Sequence, residues 1–264
     1  MLENFEHASI LVLGSGTSVG VPMIGCRCKV CTSSDARDKR LRPSILLRFG
    51  DQRVLIDTTP DFRYQALRFK IDRLDAILFT HSHADHILGL DDLRPLSFIA
   101  ARESGPIPLY ATPETRAVLE HVFDYTFSPS ATYANRARVR LHPVLDRNPV
   151  HGVDFVPIPL FHGKMPIIGY RFGRAAYLTD VSDIPEPSFP LLQDLDLLVL
   201  SALRHKPHPS HATVDQAVGW SRRIGAKQTW LTHIAHELGH EATNQLLPPG
   251  IAMAYDGLSL DVTL

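Results

Sequence analysis

The stretch that most restricts what this chain can become is His81-Ser82-His83-Ala84-Asp85-His86. Four side chains able to hold a metal ion fall within six residues. They follow directly on Asp75–Thr80, an apolar run that reads as a buried strand. Side chains alternate along a strand, so His81 and His83 leave it on one side, and Asp85 and His86 sit on the turn beyond. Three imidazoles and a carboxylate without a thiolate suit zinc, manganese or iron. They fit an open catalytic site better than a closed structural one. A histidine-rich surface turn is the plainer alternative, and partners elsewhere in the chain argue against it.

The chain has 264 residues, 44% of them hydrophobic, enough to bury a sizeable core. It reads as a single domain over residues 1–264. A formal net charge of -1 argues against a long polyanion such as RNA or DNA, which usually needs a basic face. A small substrate is the default. No apolar run approaches the ~20 residues of a membrane span. The opening Met1–His7 carries no basic segment ahead of an apolar one. These features predict a cytoplasmic protein with no membrane contact.

Short apolar runs alternate with helical patterns. Strands are predicted at Ser9–Leu13, Ser44–Arg48, Arg53–Asp57, Ala76–Thr80, Ala175–Thr179, Leu197–Leu200 and Thr229–Thr232. Helices are predicted at Asp61–Phe69, Pro113–Phe123 and Val214–Ile224. A closing hairpin is expected around Ala254–Val262, with Asp256-Gly257 as its turn. The segment Ser128–Pro159 reads either as strands or as a loop over the site. No internal repeat is visible. Strands mixed with helices at this density indicate a layered α/β domain.

Three further candidate ligands each follow a strand-like run. Val153–Phe161 precedes His162, Ala175–Thr179 precedes Asp180, and Gln228–Thr232 precedes His233. Ligands at the carboxyl ends of several strands converge on one rim of a sheet. Taken singly, each of the three reads equally well as a cap or an ordinary half-buried histidine. With the opening motif they make a set of seven: His81, His83, Asp85, His86, His162, Asp180 and His233. That number fits two divalent ions sharing a carboxylate, either manganese or zinc.

The three cysteines, Cys26, Cys28 and Cys31, lie within six residues. An odd number at such spacing is a poor disulfide framework and a good metal cluster. A structural zinc wants a fourth ligand, and His236, three residues past His233, is the natural candidate. Three free thiols beside an exposed His236 is the alternative.

The spacing His-x-His-x-Asp-His after a strand, then a distant His, an Asp after a strand and a last His, resembles the metallo-β-lactamase fold. The resemblance spans nearly the whole chain. It implies an α/β protein, a four-layer αβ/βα sandwich with two metals at the edge of its paired sheets. It implies that His81, His83 and His162 hold one ion, that Asp85, His86 and His233 hold the other, and that Asp180 bridges them. Asp57, ending the strand Val54–Asp57, matches the family's early Asp, which orients the ligands from behind. For its side chain the alternative is a helix N-cap before Pro60.

Gly14-Ser15-Gly16-Thr17-Ser18-Val19-Gly20, the cysteine cluster and the His233/His236 pair narrow the match. The chain resembles the phosphoribosyl 1,2-cyclic phosphate phosphodiesterases of the carbon–phosphorus lyase pathway and their relatives. More loosely it is similar to the pyrroloquinoline quinone biosynthesis B proteins. The glycine run lacks the third glycine of a dinucleotide fingerprint, so tight turning beside the metal site is its expected use. The resemblance implies a phosphodiesterase in which a metal-activated hydroxide attacks a small, cyclic phosphodiester, and it suggests a homodimer. It also implies a histidine on the segment Ser201–Thr213 that assists the phosphate or the leaving group. His211 is the best positional match and His208 the runner-up; both also read as solvated loop residues, with Thr213 as an N-cap. Lys164 either lends charge to a phosphate or is a solvated lysine. The residues expected to serve catalysis are thus Asp85, Asp57 and His211.

Two other readings stay open. One is a different hydrolase on the same scaffold, such as a tRNA 3′-end ribonuclease, a thioesterase or a lactamase. The near-zero charge counts against the first of these, and the expected cytoplasmic location against the last. The other is a non-hydrolytic carrier like the quinone biosynthesis B protein, which need not keep seven ligands.

Overall fold

The computed structural model describes residues 5–130 and 132–264. Among the described residues, fourteen strands form two seven-stranded sheets. The strands of the first are β1 (His7–Gly14), β2 (Ser44–Phe49), β3 (Gln52–Ile56), β4 (Ala76–Leu78), β5 (Ile107–Ala111), β6 (Val139–Pro143) and, from the far end of the chain, β14 (Ser259–Thr263). Those of the second are β7 (Asn148–Val150), β8 (Val153–His162), β9 (Met165–Phe172), β10 (Ala175–Leu178), β11 (Leu197–Ser201), β12 (Gln228–Thr232) and β13 (Ile251–Met253). The orders are β14-β1-β2-β3-β4-β5-β6 and β13-β12-β11-β10-β9-β8-β7.

The two sheets match strand for strand. In the first, β14, β1, β2 and β3 pair antiparallel, and β3 to β6 pair parallel. In the second, β7 to β10 pair antiparallel and β10 to β13 parallel. The parallel links need crossovers, and helices supply them. The helices are α1 (Phe62–Arg68), α2 (Ala84–Ile87), α3 (Arg94–Glu103), α4 (Pro113–Val122), α5 (Asp124–Phe127), α6 (Val214–Ile224) and α7 (His240–Asn244). Among the described residues no helix is long and apolar enough to cross a membrane.

Strand alternation divides the apolar residues into three cores. Ile10, Val12, Tyr177 and Val199 face the space between the sheets. Their neighbours Leu11 and Leu13 face the helices over the first sheet. Leu178, Leu198 and Leu200 face the helices over the second. Strands buried on both faces read as continuous apolar runs, which is why these segments were legible. Three cores separate four layers, the sandwich expected from the sequence.

One expectation needs revision, and one open reading is decided. The segment Ala254–Val262 is not a hairpin: β13 pairs with β12, whereas β14 pairs with β1. The turn at Asp256-Gly257 instead crosses from one sheet to the other. Asp256 anchors it there, accepting hydrogen bonds from Ser15 N (2.9 Å), Ser15 Oγ (2.8 Å) and Leu41 N (2.7 Å). Between Ser128 and Pro159 the chain forms β6, β7 and most of β8 rather than a loop. The other expected elements shift by a residue or two, β4 ending at Leu78, and α3, β5 and β9 were not expected from the sequence.

Candidate metal centre

The site forms where the ends of β3, β4, β8, β10, β11 and β12 meet between the two sheets. Ile168 N donates to Thr80 O at 3.2 Å, and Tyr170 Oη to Phe79 O at 2.9 Å, so β9 is tied across to the end of β4. That tie brings His162, at the end of β8, beside His81. The rings of His81 and His83 lie 4.8 Å apart, and those of His83 and His162 4.9 Å apart. Asp85 and His86 lie on the one-turn helix α2, for which His83 is the N-cap residue. Asp85, His86, Asp180 and His233 offer ligand atoms all within 4.8 Å of one another, and so do His162, Asp180 and His211. Asp180 belongs to both groups. His86 Nε2 lies 3.0 Å from Asp180 Oδ2, and His233 Nε2 3.1 Å from Asp180 Oδ1.

The backbone is bent to this purpose. Asp57, Asp180 and His233 each follow a strand and each have positive φ, at 65°, 57° and 57°. Non-glycine residues held in the left-handed region cost of order 1–3 kcal/mol each and cluster at functional sites. Here the turn lifts each side chain out of the strand's pleat. Asp57 and Asp180 occupy matching places, one residue past β3 and two past β10.

Asp57 is fully buried and does not cap a helix; Asp61 stands at the N-cap of α1. Its carboxylate accepts from Thr80 N (2.8 Å) and Thr80 Oγ1 (2.8 Å) and lies 2.8 Å from His86 Nδ1. Thr80 Oγ1 in turn lies 3.0 Å from His81 Nδ1. One carboxylate therefore orients two imidazoles, one of them through a threonine. Thr179 Oγ1 donates to Asp180 Oδ2 at 2.8 Å, and Ser210 O accepts from His162 Nδ1 at 2.7 Å. Thr80, Thr179 and Ser210 were missed from the sequence. A signal was present: a threonine precedes His81, Asp180 and His233.

These residues fit metal ions. His81 Nε2 and His233 Nδ1 are buried without a hydrogen-bond partner among the described residues, and Asp85 Oδ2, His86 Nε2 and His233 Nε2 face one another or Asp180 with no aligned hydrogen bond. Buried polar atoms are seldom left so. Burial opposes ionisation of Asp85 and Asp180, yet the facing His86 and His233 outweigh it and hold both carboxyls well below the usual range. Burial likewise opposes a charged His233, and the two carboxylates hold it up to about 9. The pocket is thus built to gather positive charge between buried carboxylates.

His211 joins this set. Its Nδ1 is 3.7 Å from Asp180 Oδ1, and its ring stacks on His233 at 4.8 Å and lies 4.6 Å from His162. Burial, then the neighbouring His233, push it down to about 3. His208 instead bonds Ser210, and Lys164 is exposed on the turn between β8 and β9. The glycine run turns tightly, as expected. A Cβ on Gly14 would stand 1.9 Å from Arg42 O, and Thr17 N donates to Ile234 O beside His233.

The cysteines form a second cluster. Cys26 Sγ and Cys28 Sγ lie 3.4 and 3.3 Å from His236 Nδ1. With Cys31 all four offer ligand atoms within 4.8 Å of one another. Four such donors fit one tetrahedral zinc.

A family model described as beta-lactamase superfamily domain matches residues 52–234. A crystal structure of a new diphosphatase from the PhnP family is 53% identical, with a TM-score of 0.92, covering 97% of this chain and 98% of that one. An octanoyltransferase of Porphyromonas gingivalis is 40% identical over 253 residues, 94% of this chain but 50% of that protein. The coenzyme PQQ synthesis protein B of Methylorubrum extorquens is 28% identical over 174 residues, 60% of this chain and 54% of that protein. The chain thus spans about half the length of the curated relatives it matches. With the match over residues 52–234, the paired sheets and the histidine–aspartate cluster at their edge, this chain belongs to the beta-lactamase superfamily domain family and has the metallo-β-lactamase fold.

Proposed function

We propose that this protein hydrolyses a small phosphodiester, a cyclic one such as phosphoribosyl 1,2-cyclic phosphate. The observation that carries the reading is the pair of ligand groups sharing Asp180, the second of which includes His211. His81, His83 and His162 would hold one divalent ion, manganese or zinc. Asp85, His86 and His233 would hold the other, with Asp180 common to both. Two such ions, when bound, acidify a water and draw charge from phosphoryl oxygens. Asp57 keeps the donor nitrogens of His86 and His81 aimed inward. Asp180 fixes the spacing of the two halves. His211 hydrogen-bonds the leaving oxygen and gives it a proton. Burial leaves His211 neutral by itself, and the negative charge of a phosphate beside it favours protonation. Help of this kind is worth about 10²–10⁴-fold. Cys26, Cys28, Cys31 and His236 would hold a third, structural zinc with no open position for chemistry. Reduced thiols and a small polar substrate suit a cytoplasmic enzyme, as one chain or as a homodimer.

One observation favours a second reading. The 53% identical neighbour is named a diphosphatase, so the bond cleaved here could be a phosphoanhydride rather than an ester. The same residues would serve, since both reactions displace an oxygen from phosphorus.

The test is to load the protein with Mn²⁺ or Zn²⁺ and compare a five-membered cyclic ribose phosphate, a diphosphate-bridged dinucleotide and bis-p-nitrophenyl phosphate. Turnover fastest on the cyclic diester is expected. His211→Ala should lower kcat by about 10²-fold or more on the cyclic diester and less on the nitrophenyl ester, whose leaving group needs no proton. Preference for the dinucleotide selects the second reading. No turnover on any of the three with the ions bound overturns both.

A further inference from the structure

The connection from β11 to α6 carries three histidines, His205, His208 and His211, more than assistance to a leaving group requires. His211 alone contacts Asp180. His208 touches its ring, with centroids 4.9 Å apart, but its polar bonds go elsewhere. Its Nδ1 accepts from Ser210 N at 3.3 Å and lies 3.2 Å from Ser210 Oγ. The carbonyl of that same Ser210 accepts from His162 Nδ1 at 2.7 Å. A histidine whose Nδ1–H is fixed in this way presents the lone pair of Nε2 to an ion, in a set tautomer and ring orientation.

Ala212, two residues past Ser210, is held by the backbone, its N–H donating to Val181 O at 2.7 Å and its carbonyl accepting from Leu203 N at 2.9 Å, but these bonds leave the Ser210 N–H to a local partner. Pro207 and Pro209 flank His208 and have no N–H to donate. Upstream, Arg204 Nε and Nη2 hold the carbonyls of Lys206 and Pro207 at 3.2 and 3.3 Å, and its Nη1 is tied to Glu237 at 3.2 Å. Downstream, Thr213 caps α6 in a capping box with Gln216. Between those anchors His208 is what engages the Ser210 N–H. Ser210 also packs on the turn after His162: a Cβ built on Gly163 would lie 3.4 Å from Ser210 Cβ.

We propose that His208 is a positioning residue. It fixes Ser210, whose carbonyl aims the ring of His162, and so it sets how tightly one of the two ions is held. This rests on the dinuclear reading of the site. The mechanism gives His208 no contact with substrate.

The experiment measures Mn²⁺ affinity by chelator competition in the wild-type chain, His208→Ala and His208→Asn, with the melting temperature of each metal-free protein as a check on folding. An asparagine Oδ1 stands where the histidine Nδ1 stood and can accept the Ser210 N–H. The expected result is a loss of about tenfold in affinity for one ion in His208→Ala, the low end of what such supporting groups contribute. The second ion should bind as before, and His208→Asn should recover most of the loss. Unchanged affinity in His208→Ala overturns the proposal. So does an Asn variant as weak as the Ala variant, since the far edge of the ring would then matter rather than Nδ1. A wild-type chain that binds fewer than two ions at the histidine–aspartate cluster fails at the first step. That result overturns the dinuclear reading itself, before any variant is compared.

Discussion

Burial and hydrogen bonding drive two thiols three residues apart in opposite directions. The backbone N–H of Cys31, then His236, favour the Cys28 thiolate and bring it down to about 6. Burial pushes Cys31 up to about 11. Cys28 is therefore a thiolate above about pH 6 and a thiol below it, against an ordinary value near 8.5. In zinc-stripped protein, iodoacetamide should modify Cys28 first, at a rate rising through pH 6, and added zinc should block the reaction. Modification that begins only above pH 8, or that ignores zinc, would count against the cluster. At this scale the sequence named donors better than it named their orientation. Asp57 was ambiguous between a ligand support and a helix cap. What decides it is the backbone turn at φ 65° and the burial of Thr80 beside it, neither visible in a string of letters. His208 and His211 could be told apart only by which of them reaches Asp180.

Strand ends deliver the site, and one close approach of backbone holds two of those ends together. Thr58 N donates to His86 O at 2.8 Å, and Gly89 N to Thr58 O at 3.0 Å. These bonds lace the segment after β3, which carries Asp57, to α2, which carries Asp85 and His86. They require a glycine: a Cβ at residue 89 would stand 1.9 Å from Thr59 O. Gly89→Ala should force the two segments apart, at a cost of ~1–3 kcal/mol typical of overpacking, and weaken ion binding along with stability. Thermal melts and a metal titration check this; a variant matching wild type in both would show that the contact gives freely. Strands such as β1, β4 and β11 were legible because two-sided burial leaves unbroken apolar runs, whereas β5 and β9, interrupted by Pro108, Pro166 and Gly169, were not. The expected hairpin failed because a turn pair between two strands specifies a bend, not which sheet each strand joins. Asp256, Ser15 and Leu41, distant in sequence, make that choice.

At the scale of the molecule, the cluster is a joint. The first sheet leads into His81, His83, Asp85 and His86; the second supplies His162, Asp180, His211 and His233. Ions bound there fasten one sheet to the other. A ligand at 100 times its Kd adds about 2.7 kcal/mol to stability. In a chain of this size that corresponds to roughly 2–4 °C per kcal/mol. Stripping the ions with a chelator should thus lower Tm by about 5–10 °C for each site held at such saturation. Differential scanning calorimetry with and without chelator measures it, and an unmoved transition would mean that the cluster carries no tightly bound ion. The matched order of the two sheets left no repeat in the sequence. Topology constrains which positions are apolar and where turns fall, while the residues that follow equivalent strands, such as Asp57 and Asp180, face different partners.

The pairing of β14 with β1 sets an order of events on the ribosome. His7 lies opposite Thr263, so the first sheet begun is not the first sheet finished. All seven strands of the second sheet leave the exit tunnel before the edge of the first is closed. Until β14 follows the turn past Asp256, the nascent chain leaves that flank of β1 without a partner strand. A chain stopped between His236 and Ser259 would carry every proposed ligand and still leave the sandwich open along β1.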